Sequence, residues 1–217
     1  MHAMDHPGEE FGPTLAVAAP ESRGREPVLV IACGALAREV QAVLTANRLE
    51  HITLTCLPAI LHNRPEKIPE AVRAAIRENR SRFRHIAIAY ADCGTGGALD
   101  RVCEEEGVTR IAGPHCYAFF SGTEKFLAAG DADMATFFLT DFLARQFDAF
   151  VIEPLGLDRH PELRDAYFGN YRRLVYLAQT DDAELESKAQ KAAERLGLAY
   201  EKRMTGLGDL EGFVASF

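Results

Sequence analysis

The chain has 217 residues, enough for one large domain or two small ones, and 47% of them are hydrophobic, enough to bury a real core. With 32 acidic against 24 basic residues the formal charge is −8, which excludes the broad basic face that nucleic-acid binding needs. No apolar run approaches the length that spans a bilayer.

The opening stretch, "MHAMDHPGEEFGPTLAVAAPESRGREP", carries acids early and lacks a basic start, so it reads poorly as a secretion signal. Its Pro, Gly and charge content predicts a flexible arm over 1–27, followed by one α/β domain over 28–217. "VLVIAC" (28–33) is a continuous apolar run before Gly34 and predicts a buried parallel strand. "ALAREVQAVLTANRL" (35–49) has Leu36, Val40, Val43 and Leu44 at helical spacing. "HITLTCLP" (51–58) is the next strand, stopped by Pro58, and "IPEAVRAAIREN" (68–79) the next helix, with Pro69 in its first turn. "HIAIAYADC" (85–93) predicts a third strand, "GALDRVCEEEG" (97–107) a helix ended by Gly107, and "TRIAGPHC" (109–116) a fourth strand. Residues 117–171 read as a helical insertion rich in aromatics. "RLVYLAQ" (173–179), "DAELESKAQKAAERLG" (182–197) and "LAYEKRM" (198–204) then give strand, helix, strand, before a short terminal helix. This alternation predicts an α/β fold: a mainly parallel sheet of about six strands flanked by helices. Cys56 follows Cys33 by 23 residues and Cys116 follows Cys93 by 23, a spacing that fits an internal βαβ duplication.

Ligands of an open parallel sheet bind beyond the carboxyl ends of its strands. Four predicted strand ends carry Cys33, Cys56, Asp92 with Cys93, and His115 with Cys116. Neighbouring strands lie about 4.8 Å apart, so side chains from adjacent ends can meet round one ion. The five cysteines are odd in number and sit in a core-rich chain, which reads as cytosolic thiols or metal ligands and a cytoplasmic protein. Cys33, Cys93 and Cys116 stand beside Gly or Pro and are the candidate ligands; Cys103 lies inside a predicted helix and Cys56 in an alternating strand, where packing explains them equally well. With His115 the three thiolates make a zinc site; alone they could hold an iron–sulfur cluster.

"DCGTGGAL" offers two further readings. Gly94, Thr95, Gly96 and Gly97 at a helix start could cradle a substrate anion, or the glycines only clear room round Cys93. The helix start is also expected to lower the Cys93 pKa. Asp92 is the neighbouring candidate acid or base. The segment "LGLDRHPELRDAYFGNYRRL" (155–174) groups Arg159, His160, Asn170 and Tyr171 near aromatics. It could fold over the thiols as a lid, with His160 as proton carrier and Arg159, Asn170 and Tyr171 on the substrate. Asp158 is expected to cap the helix entered through Pro161, and Asp141 with Arg145 to form an ordinary i,i+4 pair.

Together "ACGAL", "LHN", "DCGTGGALD", "GPHCY", "FFLTDFLARQFD" and "GLDRHPELRDAYFGNY" resemble the bacterial and archaeal family catalogued as domain of unknown function 1638, over most of the chain. Members are often encoded beside corrinoid-dependent methyltransferases for methylamines and betaines. The resemblance therefore implies one-carbon metabolism, a small-molecule methyl donor or acceptor, and a corrinoid protein as partner. Thiol-methylating enzymes of such systems use zinc to activate a thiol. The expectation is a zinc–thiolate enzyme with methyl transfer as its candidate reaction; the alternatives are a non-catalytic corrinoid- or metal-handling accessory protein, or an iron–sulfur protein.

Overall fold

In a computed structural model, which describes residues 25–217 except the side chains of 131 and 132, the first strand alternates cleanly between two cores. In β1 (Val28–Cys33), Val28, Val30 and Ala32 face one helical layer, and Leu29 and Ile31 face the other. Such two-sided burial is what a continuous apolar run demands. β1 pairs in parallel with β2 (Ile52–Leu57) and β3 (His85–Ala89), and β3 with β4 (Thr109–Arg110), giving the order β2-β1-β3-β4. We call this sheet A. Its connecting helices are α1 (Ala37–Ala46), α2 (Ile68–Asn79) and α3 (Ala98–Glu106). α2 and α3 bury Val72, Ile76, Leu99 and Val102 against Leu29, Ile31 and Ile88.

The chain then makes α4 (Cys116–Ser121) and α5 (Thr123–Ala129) and enters a second parallel sheet, B. Its order is β5-β6-β7, from Thr136–Thr140, Arg173–Ala178 and Ala199–Met204. α6 (Asp141–Arg145), α7 (Arg164–Phe168) and α8 (Ala183–Leu196) follow its strands; α8 is capped by the Asp182 carboxylate and ended by Gly197. α4 and α5 join the two sheets. Phe119 and Phe120 of α4 enter the sheet A core, while Tyr117 and Phe126 pack on Phe138, Val175 and Leu177 of sheet B. The terminal α9 (Asp209–Ala215) returns to α1 and buries Leu210 and Val214 there.

The α/β class, parallel pairing and flanking helices are as expected; the single sheet of about six strands is not. Two local causes divide it. The strand expected at 109–116 ends after Arg110, because Gly113 and Pro114 break the ladder and proline has no N–H to give. The insertion at 117–171 holds β5, whose run "TFFLT" is short enough to be read as either period. Cys116 accordingly starts a helix, whereas Cys56 lies within β2, so the equal cysteine spacings do not mark equivalent positions. Up to residue 24, the arm expected at 1–27 lies outside the described residues. No helix among the described residues is long and apolar enough to cross a membrane.

Candidate functional site

Cys33 is the last residue of β1, and the chain turns at once into the short helix Gly34–Leu36. Only glycine fits at 34, since a Cβ there would lie 2.9 Å from the Leu57 carbonyl oxygen. Cys56 sits next door on β2, where Ala32 is its register partner. Cys93 follows β3 in a left-handed conformation, φ +51, rare for a residue with a side chain. Backbone bonds hold this bend to the strand exit opposite. Asp92 N–H donates to Gly113 O at 3.0 Å, and Cys93 N–H to Pro114 O at 2.8 Å. The Cys116 N–H in turn points at the Cys93 sulfur.

The thiols of Cys33, Cys93 and Cys116 therefore share one nook at the carboxyl edge of sheet A, with Cys56 beside Cys33. Burial pushes the Cys93 thiol up to about 12, and the neighbouring Cys33 adds to the effect. Cys116 is raised by burial, then by Cys93 and Cys33. Burial likewise raises Cys33, though the Ala35 N–H and the Tyr90 hydroxyl oppose it. Cys56 is raised to about 11 by burial and then by Cys33. Each thiolate makes the others harder to form. The expected lowering of Cys93 is thus reversed. The N–H groups leading into α3 are already taken, those of Gly96 and Gly97 by the Asp92 carboxylate and those of Ala98 and Leu99 by Thr95.

Asp92 accepts from Thr95 Oγ1 at 2.6 Å, Gly97 N–H at 2.8 Å and Gly96 N–H at 3.2 Å. Burial opposes its ionisation, but these bonds and Arg110 outweigh it and hold the carboxyl below its ordinary value. The glycine turn does cradle an anion, and that anion is the chain's own carboxylate.

Tyr90 is the residue that sequence reasoning missed. It lies between β3 and Asp92, 2% exposed, and its hydroxyl has no hydrogen-bond partner among the described residues. The oxygen leans on the Cys33 sulfur and eases its ionisation, without reaching full hydrogen-bond geometry. Burial and the thiols of Cys33, Cys93 and Cys56 raise its own pKa. His62, from the "LHN" stretch after β2, is a second addition: the residue is exposed, yet desolvation of its ring lowers its pKa, and nearby His115 lowers it further. His115 is exposed just before α4, its ring 6.3 Å from that of Tyr117.

The "DRHPELRDAYFGNY" segment behaves otherwise. Its Phe168 packs into the α8 side of sheet B, beside Val151, Ile152 and Leu157 from the stretch just before it. His160 is exposed with its ring 3.2 Å from Glu162, and Arg159 and Asn170 are exposed too. His160 supplies the N-cap before Pro161, and its side chain makes no cap bond; Asp158 lies two residues outside that position. Tyr171 alone tends toward the thiols. It packs on Phe137 and Phe168 and adds a last, small push to the pKa of Tyr117, which burial, then Cys116 and Cys93, raise.

Asp141 is more than half of an i,i+4 pair. It is wholly buried at the end of β5 and accepts from Tyr176 Oη and Thr180 Oγ1, both at 2.6 Å, and from the N–H groups of Gln179 and Thr180, both at 3.1 Å. Arg145 lies 3.8 Å away, and Glu39 of α1 faces the pair with one buried oxygen unpartnered.

Among the described residues, no three His, Cys, Asp or Glu side chains already stand close enough to hold a metal ion. A family model described as Protein of unknown function (DUF1638) matches residues 56–214, more than half of the chain, and the chain belongs to that family. The matched part contains Cys93, His115 and Cys116 and leaves out Cys33 and Glu39. Comparison with curated proteins and with solved structures finds no match.

Proposed function

We propose that this DUF1638 member holds a zinc ion on Cys33, Cys93 and Cys116, with His115 beside them and His62 within reach of His115. The observation that carries the reading is that Cys33, Cys93 and Cys116 act on one another at one strand edge, with the unpartnered Tyr90 hydroxyl set against Cys33 and Cys93. A buried hydroxyl without a partner costs about 1–3 kcal/mol, and a metal-bound thiolate accepts a hydrogen bond far better than a thiol does. Three thiols that oppose one another's ionisation are stabilised together as thiolates once a divalent cation sits among them. Each thiol gives up its proton to become a ligand, so metal uptake releases protons and weakens as pH falls.

Zinc on such ligands is a Lewis acid that activates a thiol, which suits a methyl acceptor in one-carbon metabolism alongside corrinoid-dependent methyl transfer. Here the chain's part is to bind and orient a small methyl donor or acceptor and to exclude water beneath Tyr117. A specific observation favours a second reading. Asp92 is committed to its turn and His160 pairs with Glu162, so neither stands ready as an acid or base at the thiols. A metal- or corrinoid-handling accessory protein needs neither.

The test is metal analysis and a visible spectrum of protein purified without oxygen, followed by cobalt(II) titration. Stoichiometric zinc in a colourless protein, with a thiolate-to-cobalt absorption band lost in Cys93→Ser and kept in Cys103→Ser, is the expected result. A brown, iron-containing protein points to a cluster instead. Protein that takes up neither zinc nor cobalt overturns the reading. Methyl transfer to a thiol in the presence of a methylated corrinoid protein separates the enzyme from the accessory protein.

A further inference from the structure

A second concave surface contains no cysteine. It is a cleft of about 320 Å³ between the α4–α5 corner and the carboxyl end of β7. Ligand pockets run from roughly 300 to 1,000 Å³, so this one suits a small molecule, on the order of ten heavy atoms at the ~30 Å³ that a water occupies in the liquid. Its position follows the rule for parallel sheets, beyond the carboxyl end of a strand. The floor is fixed by packing. Gly208 has φ +52, and a Cβ there would run into the carbonyl groups of Phe119 and Phe120. The loop after β7 is therefore pressed flat on α4.

The walls divide by chemistry. Phe120, Phe126 and Met204 form an apolar side, and Met204 is 56% exposed, apolar surface that a ligand would cover. Lys125, Arg203 and Asp133 form the charged side. The Arg203 guanidinium is already neutralised by Glu201 at 2.6 Å and Asp133 at 3.4 Å. Asp133 also takes Arg173 at 2.6 Å. Lys125 is left as the cation facing the cleft with no ion pair among the described residues. One cation without an ion pair among the described residues, on a chain of formal charge −8, suits a single negative charge. A doubly charged phosphate would also meet Asp133.

We propose that this cleft binds a small monocarboxylate, its carboxylate on Lys125 and its apolar body against Phe120, Phe126 and Met204. The site is independent of any metal at the thiols, because no cysteine lines it. Sodium hexanoate is the probe, titrated into ¹⁵N-labelled full-length protein, with hexan-1-ol, hexan-1-amine and inorganic phosphate as controls. Saturable shifts in the amides of 121–126 and 203–208 are expected with hexanoate. Lys125→Ala should weaken binding by about tenfold or more, the ~1.4 kcal/mol or more of a charged hydrogen bond, and Lys125→Arg should restore it. Lys125 is exposed, so these variants keep the fold. The proposal is overturned by hexanoate giving no saturable shifts, by hexanol or phosphate binding as well as hexanoate, or by Lys125→Ala titrating like the parent.

Discussion

Replacing Asp141 with Ala removes the carboxylate that ties the end of β5 to the end of β6. Four donors lose their acceptor: the Tyr176 and Thr180 hydroxyls and the Gln179 and Thr180 N–H groups. Thr180 is exposed and can turn to water, but Tyr176 and Gln179 are buried and cannot. Two orphaned buried donors at about 2 kcal/mol each give about 4 kcal/mol. Relief from burying a charge offsets part of this, leaving roughly 3 kcal/mol. With a urea m-value of about 2 kcal/mol/M, the unfolding midpoint should fall by roughly 1.5 M. Asp141→Asn keeps one acceptor oxygen but turns an amide toward the remaining donors, so it should fall between the parent and Ala. Urea unfolding followed by far-UV circular dichroism reads both. A midpoint for Asp141→Ala within about 0.4 M of the parent, under ~1 kcal/mol, would refute the assignment of Asp141 as the clasp of sheet B.

Two further predictions concern ionisation and the exposed histidine. Glu39 is held above its ordinary value of 4.5 by burial, with Asp141 adding to it and Arg145, Arg38 and its own backbone opposing. The folded state therefore keeps the Glu39 proton longer than the unfolded chain does, and the stability it confers below the unfolded pKa is lost as pH rises through the folded one. Glu39→Gln should gain on the parent between pH 4 and pH 8 in paired urea titrations, and a constant or shrinking difference would contradict the placement. His160→Gln should change stability by no more than about 0.5 kcal/mol and leave metal content unaltered. Loss of metal in that variant would return the segment to the thiols.

Strand and helix identity was legible wherever one period ran long enough to be unambiguous. The "VLVIAC" and "IPEAVRAAIREN" readings coincide with Val28–Cys33 and Ile68–Asn79, because two-sided burial and a single apolar stripe leave distinct marks in the chain. The Cys33, Cys93 and Cys116 grouping was legible for a related reason: parallel strands deliver their carboxyl ends to one edge whatever lies between them. "TFFLT" defeated the same method, since three apolar residues between two threonines are too short a run to tell strand from helix.

The sequence by itself determined the α/β class, the parallel pairing and the edge on which the thiols meet. Each follows from local pattern plus the handedness and spacing of the chain. Only the tertiary structure decided what those residues experience. Asp92 sits beside Cys93 in the chain, yet whether its carboxylate serves a substrate or the Gly96 and Gly97 N–H groups depends on how the turn closes. Cys93 could be a ready thiolate or a neutral thiol near 12, depending on burial and on Cys33, sixty residues earlier in the chain. Glu39 and Asp141 face each other only because sheets A and B bring α1 and α6 together. Charge and hydrogen-bond partners are set by distance in space, and a linear pattern encodes that distance only for near neighbours.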